Sequence, residues 1–257
     1  MEIENNKEEV PFGHYEKLFR EADATQMAER SGAKYENGKF YVNLLGTEYV
    51  ISHPAYEIAK IDSHCEDPEG PEGDVAVSNT QGETDCHGRQ SHPRNDGREG
   101  GLIATGVSAL TMTEKDGGAV NVPLPMQTFL LRYLLEGKQV AWGSQWKTFR
   151  EMPWGELYIK PYTGRVLTRA AFTFGTRVEA FAKACEKMGA RSLSNGDAGF
   201  EFDFLGGYKM RILVWAGDEE FPPNAQILYS DNFADGFQAE DRVVAGDILI
   251  SVIKANM

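Results

Sequence analysis

From Gly199 to Trp215 apolar and polar residues alternate twice, in GFEFDFL and YKMRILVW, with Gly206-Gly207 between the two runs. Alternation sends one set of side chains to each face of a pleated strand, and a Gly-Gly pair supplies the positive φ angles of a two-residue hairpin turn. The stretch predicts an antiparallel hairpin, with Ala225–Tyr229 as a third strand. An earlier segment follows the same plan. Phe40, Val42 and Leu44 alternate with Tyr41 and Asn43, a turn falls at Gly46-Thr47, and Tyr49 and Ile51 resume the pattern before Pro54 ends it. The string Phe40-x-Val42-x-Leu44-Leu45-Gly46 matches Phe200-x-Phe202-x-Phe204-Leu205-Gly206, and a tyrosine follows each, Tyr49 and Tyr208. Any two hairpins share such a pattern; a duplicated half is the alternative.

Helical periodicity fills much of the remainder. Residues 13–32 predict one helix, with Gly32 as its C-terminal cap. Residues 123–136 predict a buried helix, with Pro125 in its first turn and Gly137 as its stop. A short helix is expected near 145–152, and a long one from Arg165 to Met188, weak at Gly175 and capped by Gly189. Phe172, Val178, Phe181, Ala182 and Cys185 make its apolar face. The last helix spans about Ala239 to Lys254, with Val243, Val244, Ile248, Leu249 and Val252 inward. Residues 102–122 are mixed, with one or two short strands around the turn at 115–118. The expected fold is α+β: an antiparallel sheet built from hairpins, packed by several helices, in a single domain over 1–257.

Residues 62–101 break this grammar. Only Val75, Ala76, Val77 and two cysteines are apolar there, none is aromatic, and ten acids oppose three arginines for a net of −7. Such a segment cannot bury enough apolar surface to offset chain entropy, so it reads as a long, disordered acidic insertion. It carries about half of the chain's net charge of −13. A surface this acidic, without a basic run, argues against nucleic acid and against anionic membranes. No stretch approaches the ~20 apolar residues of a membrane span. The opening MEIENNKEEVPFG lacks the basic and apolar regions of a signal peptide, and three cysteines suit reduced thiols. The expected location is the cytoplasm.

Three constellations could carry chemistry. Asp218, Glu219 and Glu220 follow a buried-looking strand, and Asp231 follows the next one. Dense carboxylates can bind a hard cation or hold a raised pKa for acid–base work. Antiparallel pairing of the two strands would set Asp218 and Asp231 at opposite ends, so a solvated turn, capping a helix or paired with Arg150 or Arg211, is the plainer reading. His64-Cys65, Cys86-His87 and His92 are zinc-type ligands without the usual C-x₂₋₄-C knuckle, so incidental cysteines in a loop are expected over zinc. Trp142, Trp146, Phe149, Trp154, Tyr158 and Tyr162 cluster in sequence and could floor a ligand pocket, or simply fill core. No phosphate-binding glycine loop, nucleophile elbow or H-E-x-x-H motif occurs.

Four segments together resemble the domain of unknown function 3786 family. They are FYVNLLGTEYVIS at 40–52, PLPMQTFLLRYLL at 123–135, WKTFREMPWGELY at 146–158, and Ile212-Leu213-Val214-Trp215-Ala216-Gly217-Asp218-Glu219-Glu220-Phe221-Pro222-Pro223 continuing through Tyr229. The resemblance covers roughly 14–60 and 120–253 and leaves the insertion outside. It implies an uncharacterised protein, with some members fused to or labelled as iron–sulfur proteins and a tie to anaerobic one-carbon and corrinoid metabolism. This chain has no four-cysteine cluster, so it cannot by itself house a cysteine-ligated iron–sulfur centre. The expected function is therefore a non-catalytic accessory protein in such a pathway, holding a protein partner or a small ligand through Trp146, Trp154, Trp215, Asp218, Glu219, Glu220 and Asp231. The alternative is a metal-assisted or acid–base enzyme using the four carboxylates.

Overall fold

In the computed structural model, which describes residues 8–61 and 122–257, the predicted hairpins lie side by side in one antiparallel sheet. The chain opens with α1 (Glu9–Glu21), α2 (Ala24–Ser31), β1 (Lys34–Glu36), β2 (Lys39–Leu44), β3 (Thr47–Ser52) and β4 (Ile58–Ile61). It resumes with α3 (Leu124–Glu136), β5 (Trp146–Thr148), a 3₁₀ turn (Phe149–Glu151), α4 (Gly155–Tyr162), a π-helical turn (Thr163–Thr168), α5 (Arg169–Phe174) and α6 (Val178–Lys187). The last part runs β6 (Arg191–Leu193), β7 (Ala198–Leu205), β8 (Tyr208–Trp215), β9 (Asn224–Ser230), α7 (Phe233–Gly236) and α8 (Ala239–Ala255). Strand order is β4-β3-β2-β7-β8-β9-β5, with β1 on β2 and β6 on β7. The described residues fall in one compact unit. The predicted insertion at 62–101, and the strands expected within 102–121, lie outside the described residues.

Both hairpins close on two residues of positive φ, Leu45 and Gly46 (52° and 80°) and Gly206 and Gly207 (53° and 87°). The first turn thus sits one residue earlier than the sequence suggests. Leu45 accepts the left-handed conformation because its side chain is buried in the core. The repeat is also out of step by one residue. A register shift between Asp203, which pairs with Lys209, and Leu205, which pairs with Tyr208, leaves Phe204 as the extra residue of a bulge and defers the second turn. That bulge is where the hairpins join: Leu44 pairs with Leu205, and the Leu45 N–H donates to the Phe204 carbonyl at 2.9 Å.

Several helices differ from expectation. The first is two, because Asp23 caps a new start by accepting from the Gln26 N–H. The short helix near 145–152 is a strand and a 3₁₀ turn, held by a Thr148–Glu151 capping box. The long helix from Arg165 is an α4–π–α5 rod that stops at Gly175 and restarts as α6. A Cβ at Gly175 would lie 2.4 Å from Pro223 and 3.0 Å from the Trp215 carbonyl, so the break is set by the sheet beside it. The π turn shifts the apolar face, leaving Phe172 exposed and burying Phe174.

Burial on β8 alternates along the strand. Tyr208, Met210, Ile212 and Val214 enter the core, and the intervening residues stay half-exposed. Helix α8 is buried nearly all round, which two inward stripes of valine, isoleucine and leucine do not explain. Asp241, Arg242 and Asp247 are among its buried residues. The Asp247 carboxylate accepts from Arg165 and, at 3.3 Å, from Arg169, which anchors the π turn to α8. Among the described residues no helix is long and apolar enough to cross a membrane.

Candidate ligand-binding cleft

Four pieces of chain meet around a cleft of about 190 Å³. The end of α3 brings Arg132 and Glu136, and Lys138 follows from the next loop. The turn ahead of α4 brings Pro153 and Trp154. The α7–α8 junction brings Asp235, Gly236 and Phe237, and the first turn of α8 adds Asp241 and Arg242.

Two glycines draw these pieces together. A Cβ on Gly155 would lie 2.0 Å from the Phe149 carbonyl oxygen, so the backbone doubles tightly against the 3₁₀ turn. The residue before it, Trp154, is driven to φ 63° with its side chain 69% exposed. A Cβ on Gly236 would lie 1.9 Å from the Tyr208 hydroxyl, which donates to the Lys138 carbonyl. That contact ties α7, β8 and the loop after α3 into one wall.

The polar groups on the wall are unequally satisfied. The Arg132 Nη1 pairs with Asp241 Oδ1 at 3.0 Å, its guanidinium lies over the Tyr15 ring at 5.1 Å, and its Nε has no hydrogen-bond partner. The other Asp241 oxygen accepts from the Gln238 N–H at 3.1 Å. Burial pushes the Asp241 carboxyl up to about 6, against the opposing pull of Arg132. Arg242 is 1% exposed and donates to the Pro153 carbonyl through Nη2, while its Nε and Nη1 have no partner. Its guanidinium sits 5.8 Å from the Phe149 ring, and burial pulls its pKa below the ordinary arginine value. Beneath it, the Arg242 carbonyl accepts from the Tyr229 hydroxyl at 2.9 Å, and Tyr229 lies 3.2 Å from the Tyr162 hydroxyl.

Of the residues singled out in the sequence, Trp154 alone lines this cleft. Trp146 lies on the outer face of the sheet, with Arg211 over its ring at 4.0 Å and Trp142 edge-on at 5.5 Å. Phe149 and Tyr162 are core, stacked at 4.0 Å, and the Tyr158 hydroxyl donates to Glu240. Trp215 ends β8 half-buried. Asp218 closes its own turn, accepting from the Glu220 and Phe221 N–H groups at 2.9 and 2.7 Å, and Glu219 and Glu220 are exposed beside it. Asp231 accepts from Gly143 at the far end of β9, since Met210 pairs with Tyr229 and Trp215 with Asn224. The sheet therefore keeps Asp218 and Asp231 apart. Arg150 pairs with Glu156 and Arg211 with Glu201, so neither serves the acidic turn in the way the sequence allowed.

His64, Cys65, Cys86, His87 and His92 lie outside the described residues. Among the described residues no group of three His, Cys, Asp or Glu side chains could hold a metal ion. Cys185 is buried, and burial raises its thiol pKa. Sequence reading missed Arg132, Asp241 and Arg242. The available signal was an Asp-Arg pair, and a further Asp247, inside a helix whose middle is mostly valine, isoleucine, leucine and alanine.

The model of one protein family, described as a domain of unknown function (DUF3786), matches residues 105–252, more than half of the chain. The cleft residues from Arg132 onward lie inside that match, whereas the first hairpin lies before it. No curated protein and no solved structure matches the chain.

Proposed function

We propose that this chain, which belongs to the domain of unknown function 3786 family, is a non-catalytic binding protein that takes a small anionic ligand in its cleft. One observation carries the reading. The Arg242 guanidinium is buried at the cleft wall with two of its three nitrogens unpartnered. A buried cation with two unsatisfied donors is costly, and an anion that accepts from them removes that cost. Arg132, with a free Nε, and Lys138 line the same space. Guanidinium and indole recognise a planar anion without reacting with it, which supports binding. The cleft is smaller than the roughly 300–1,000 Å³ of sites for drug-sized ligands. That size favours a compact molecule over a dinucleotide or a macrocycle.

Isothermal titration of the full chain at low salt with acetate, benzoate and inorganic phosphate tests this. At least one should bind, and Arg242→Met should abolish the heat. Silence from all three at millimolar concentration would refute the reading.

A second reading, acid–base chemistry, is favoured by Asp241, whose carboxyl is held near 6 inside the cleft. It rests on Asp241 rather than on the Asp218, Glu219, Glu220 and Asp231 set, in which Asp231 lies at the other end of β9 from the acidic turn. Proton NMR of a bound ligand separates the two: a binding protein returns it unchanged, and an enzyme converts it in a manner lost in Asp241→Asn.

A further inference from the structure

We infer that the ligand is an aromatic monocarboxylate, its carboxylate directed to Arg132 and Arg242 and its ring laid against Trp154. This rests on the reading of the cleft as an anion site and names the class of anion.

The ring side comes from Trp154. An indole 69% exposed at the edge of a cleft lined by charged groups is an unused aromatic face. Its backbone is held at φ 63°, a conformation that disfavours a bulky side chain, and the fixed Gly155 beside it prevents relaxation. Pro153, Ala234 and Phe237 line the same opening, and Leu157, one turn beyond Trp154, is 71% exposed. The lining therefore combines charged groups, Arg242 among them, with an apolar face at Trp154. A ring can cover that face by offset or edge-on packing against the indole.

The charge side limits the anion. Arg132, Lys138 and Arg242 face Glu136, Asp235 and Asp241, three cations against three carboxylates. A monoanion is accepted by the unpartnered guanidinium nitrogens without a large excess of like charge. A phosphate dianion or a dicarboxylate meets three fixed carboxylates and the field of a chain with net charge −13. Planar guanidinium also matches planar carboxylate. A space of about 190 Å³ suits one ring with its carboxylate.

The test is titration of the full chain with benzoate, phenylacetate, acetate and inorganic phosphate, followed by calorimetry and intrinsic fluorescence. The two aromatic acids should bind about tenfold more tightly than acetate, and phosphate more weakly than acetate. Trp154→Ala should reduce benzoate to the acetate level, a loss of roughly five- to tenfold, and leave acetate unchanged. Trp154→Leu, which keeps apolar area without a ring face, should recover only part of that loss. Circular dichroism checks that both variants fold, as an exposed side chain leads one to expect. If benzoate binds no better than acetate, or Trp154→Ala leaves benzoate unaffected while Arg242→Met abolishes binding, the aromatic assignment is overturned and the anion site stands. If phosphate alone binds, the carboxylate assignment is overturned and the anion site stands; if none of the four binds, both fall.

Discussion

Replacing Arg242 by methionine should stabilise the ligand-free protein. Methionine keeps most of the length and packing of the arginine stem and fills irregular space well. What it removes is a buried cation whose Nε and Nη1 have no partner. Each unsatisfied buried donor costs about 1–3 kcal/mol, and burial already pulls this guanidinium toward its neutral form. Against that stand the hydrogen bond to the Pro153 carbonyl and the contact with Phe149 at 5.8 Å. The first is charge-assisted, about 1.5–3 kcal/mol, but Pro153 is exposed and water can take over as donor. The second is about 0.5–1 kcal/mol. The balance is a gain on the order of 1–3 kcal/mol, or about 2–4 °C in melting temperature for each kcal/mol at this chain length. Urea melts at constant m-value, with calorimetric melts beside them, measure it. Saturating benzoate should reverse the ranking, since only the wild type gains the linkage term, about 2.7 kcal/mol at a hundred times Kd. A ligand-free Arg242→Met that loses 1 kcal/mol or more would show that the guanidinium serves as a cap for the Pro153 turn, and the case for an anion site would fail with it.

Asp241→Asn should change how stability depends on pH. The folded carboxyl titrates at about 6 against an ordinary 3.8, so between those values the folded state binds the proton more tightly than the unfolded chain, and stability falls as pH rises. The asparagine variant should exceed the wild type by up to about 3 kcal/mol at pH 7.5, and the gap should close by about pH 4, read from urea midpoints across that range. Gly155→Ala should cost about 2–4 kcal/mol, because its methyl meets the Phe149 carbonyl, at 2.0 Å, and the Arg150 backbone, neither of which can rotate away. Gly164→Ala in the π turn, with nothing within 4 Å, is the matched control and should be neutral or stabilising by up to about 1 kcal/mol in the same melts.

The sheet was legible because its signal is local. Phe200, Phe202 and Phe204 against Glu201 and Asp203, with two glycines next, leave few conformations that put the aromatics on one face and the acids on the other, where Asp203 is exposed and Glu201 is buried between Arg191 and Arg211. Even there the bulge at Phe204 escaped notice, because what fixes it is the Leu45 N–H of another hairpin rather than any neighbour in sequence. The 146–174 region failed for the same reason on a larger scale. Its strand, 3₁₀ turn and π turn depend on pairing with β9 and on Asp247 of α8. The candidate site was the least legible part. Arg132 lies in α3, and Asp241 and Arg242 lie more than a hundred residues later, so their meeting is a property of packing alone. The aromatic run was visible but misleading, since its members divide among the outer sheet face, the core and the cleft.

Charges inside an apolar helix are informative once their partners are counted. Asp247 and Arg242 lie on the same helix and are comparably buried, at 3% and 1% exposure. Asp247 has an arginine on each oxygen, Arg165 on one and Arg169 on the other, and Arg169 also donates to Ser251 at 2.9 Å. Its hydrogen bonds close within the fold, and its role is to hold the π turn. Arg242 closes one hydrogen bond, on a carbonyl, and leaves two buried nitrogens without a partner. Desolvation cost is similar in kind for both, so stability accounts for the first, whereas the second recovers only part of its cost through the Pro153 carbonyl and the Phe149 ring. Under the proposed function, that cost, a turn and a half from a fully paired aspartate, is what an anion accepting from the guanidinium would relieve.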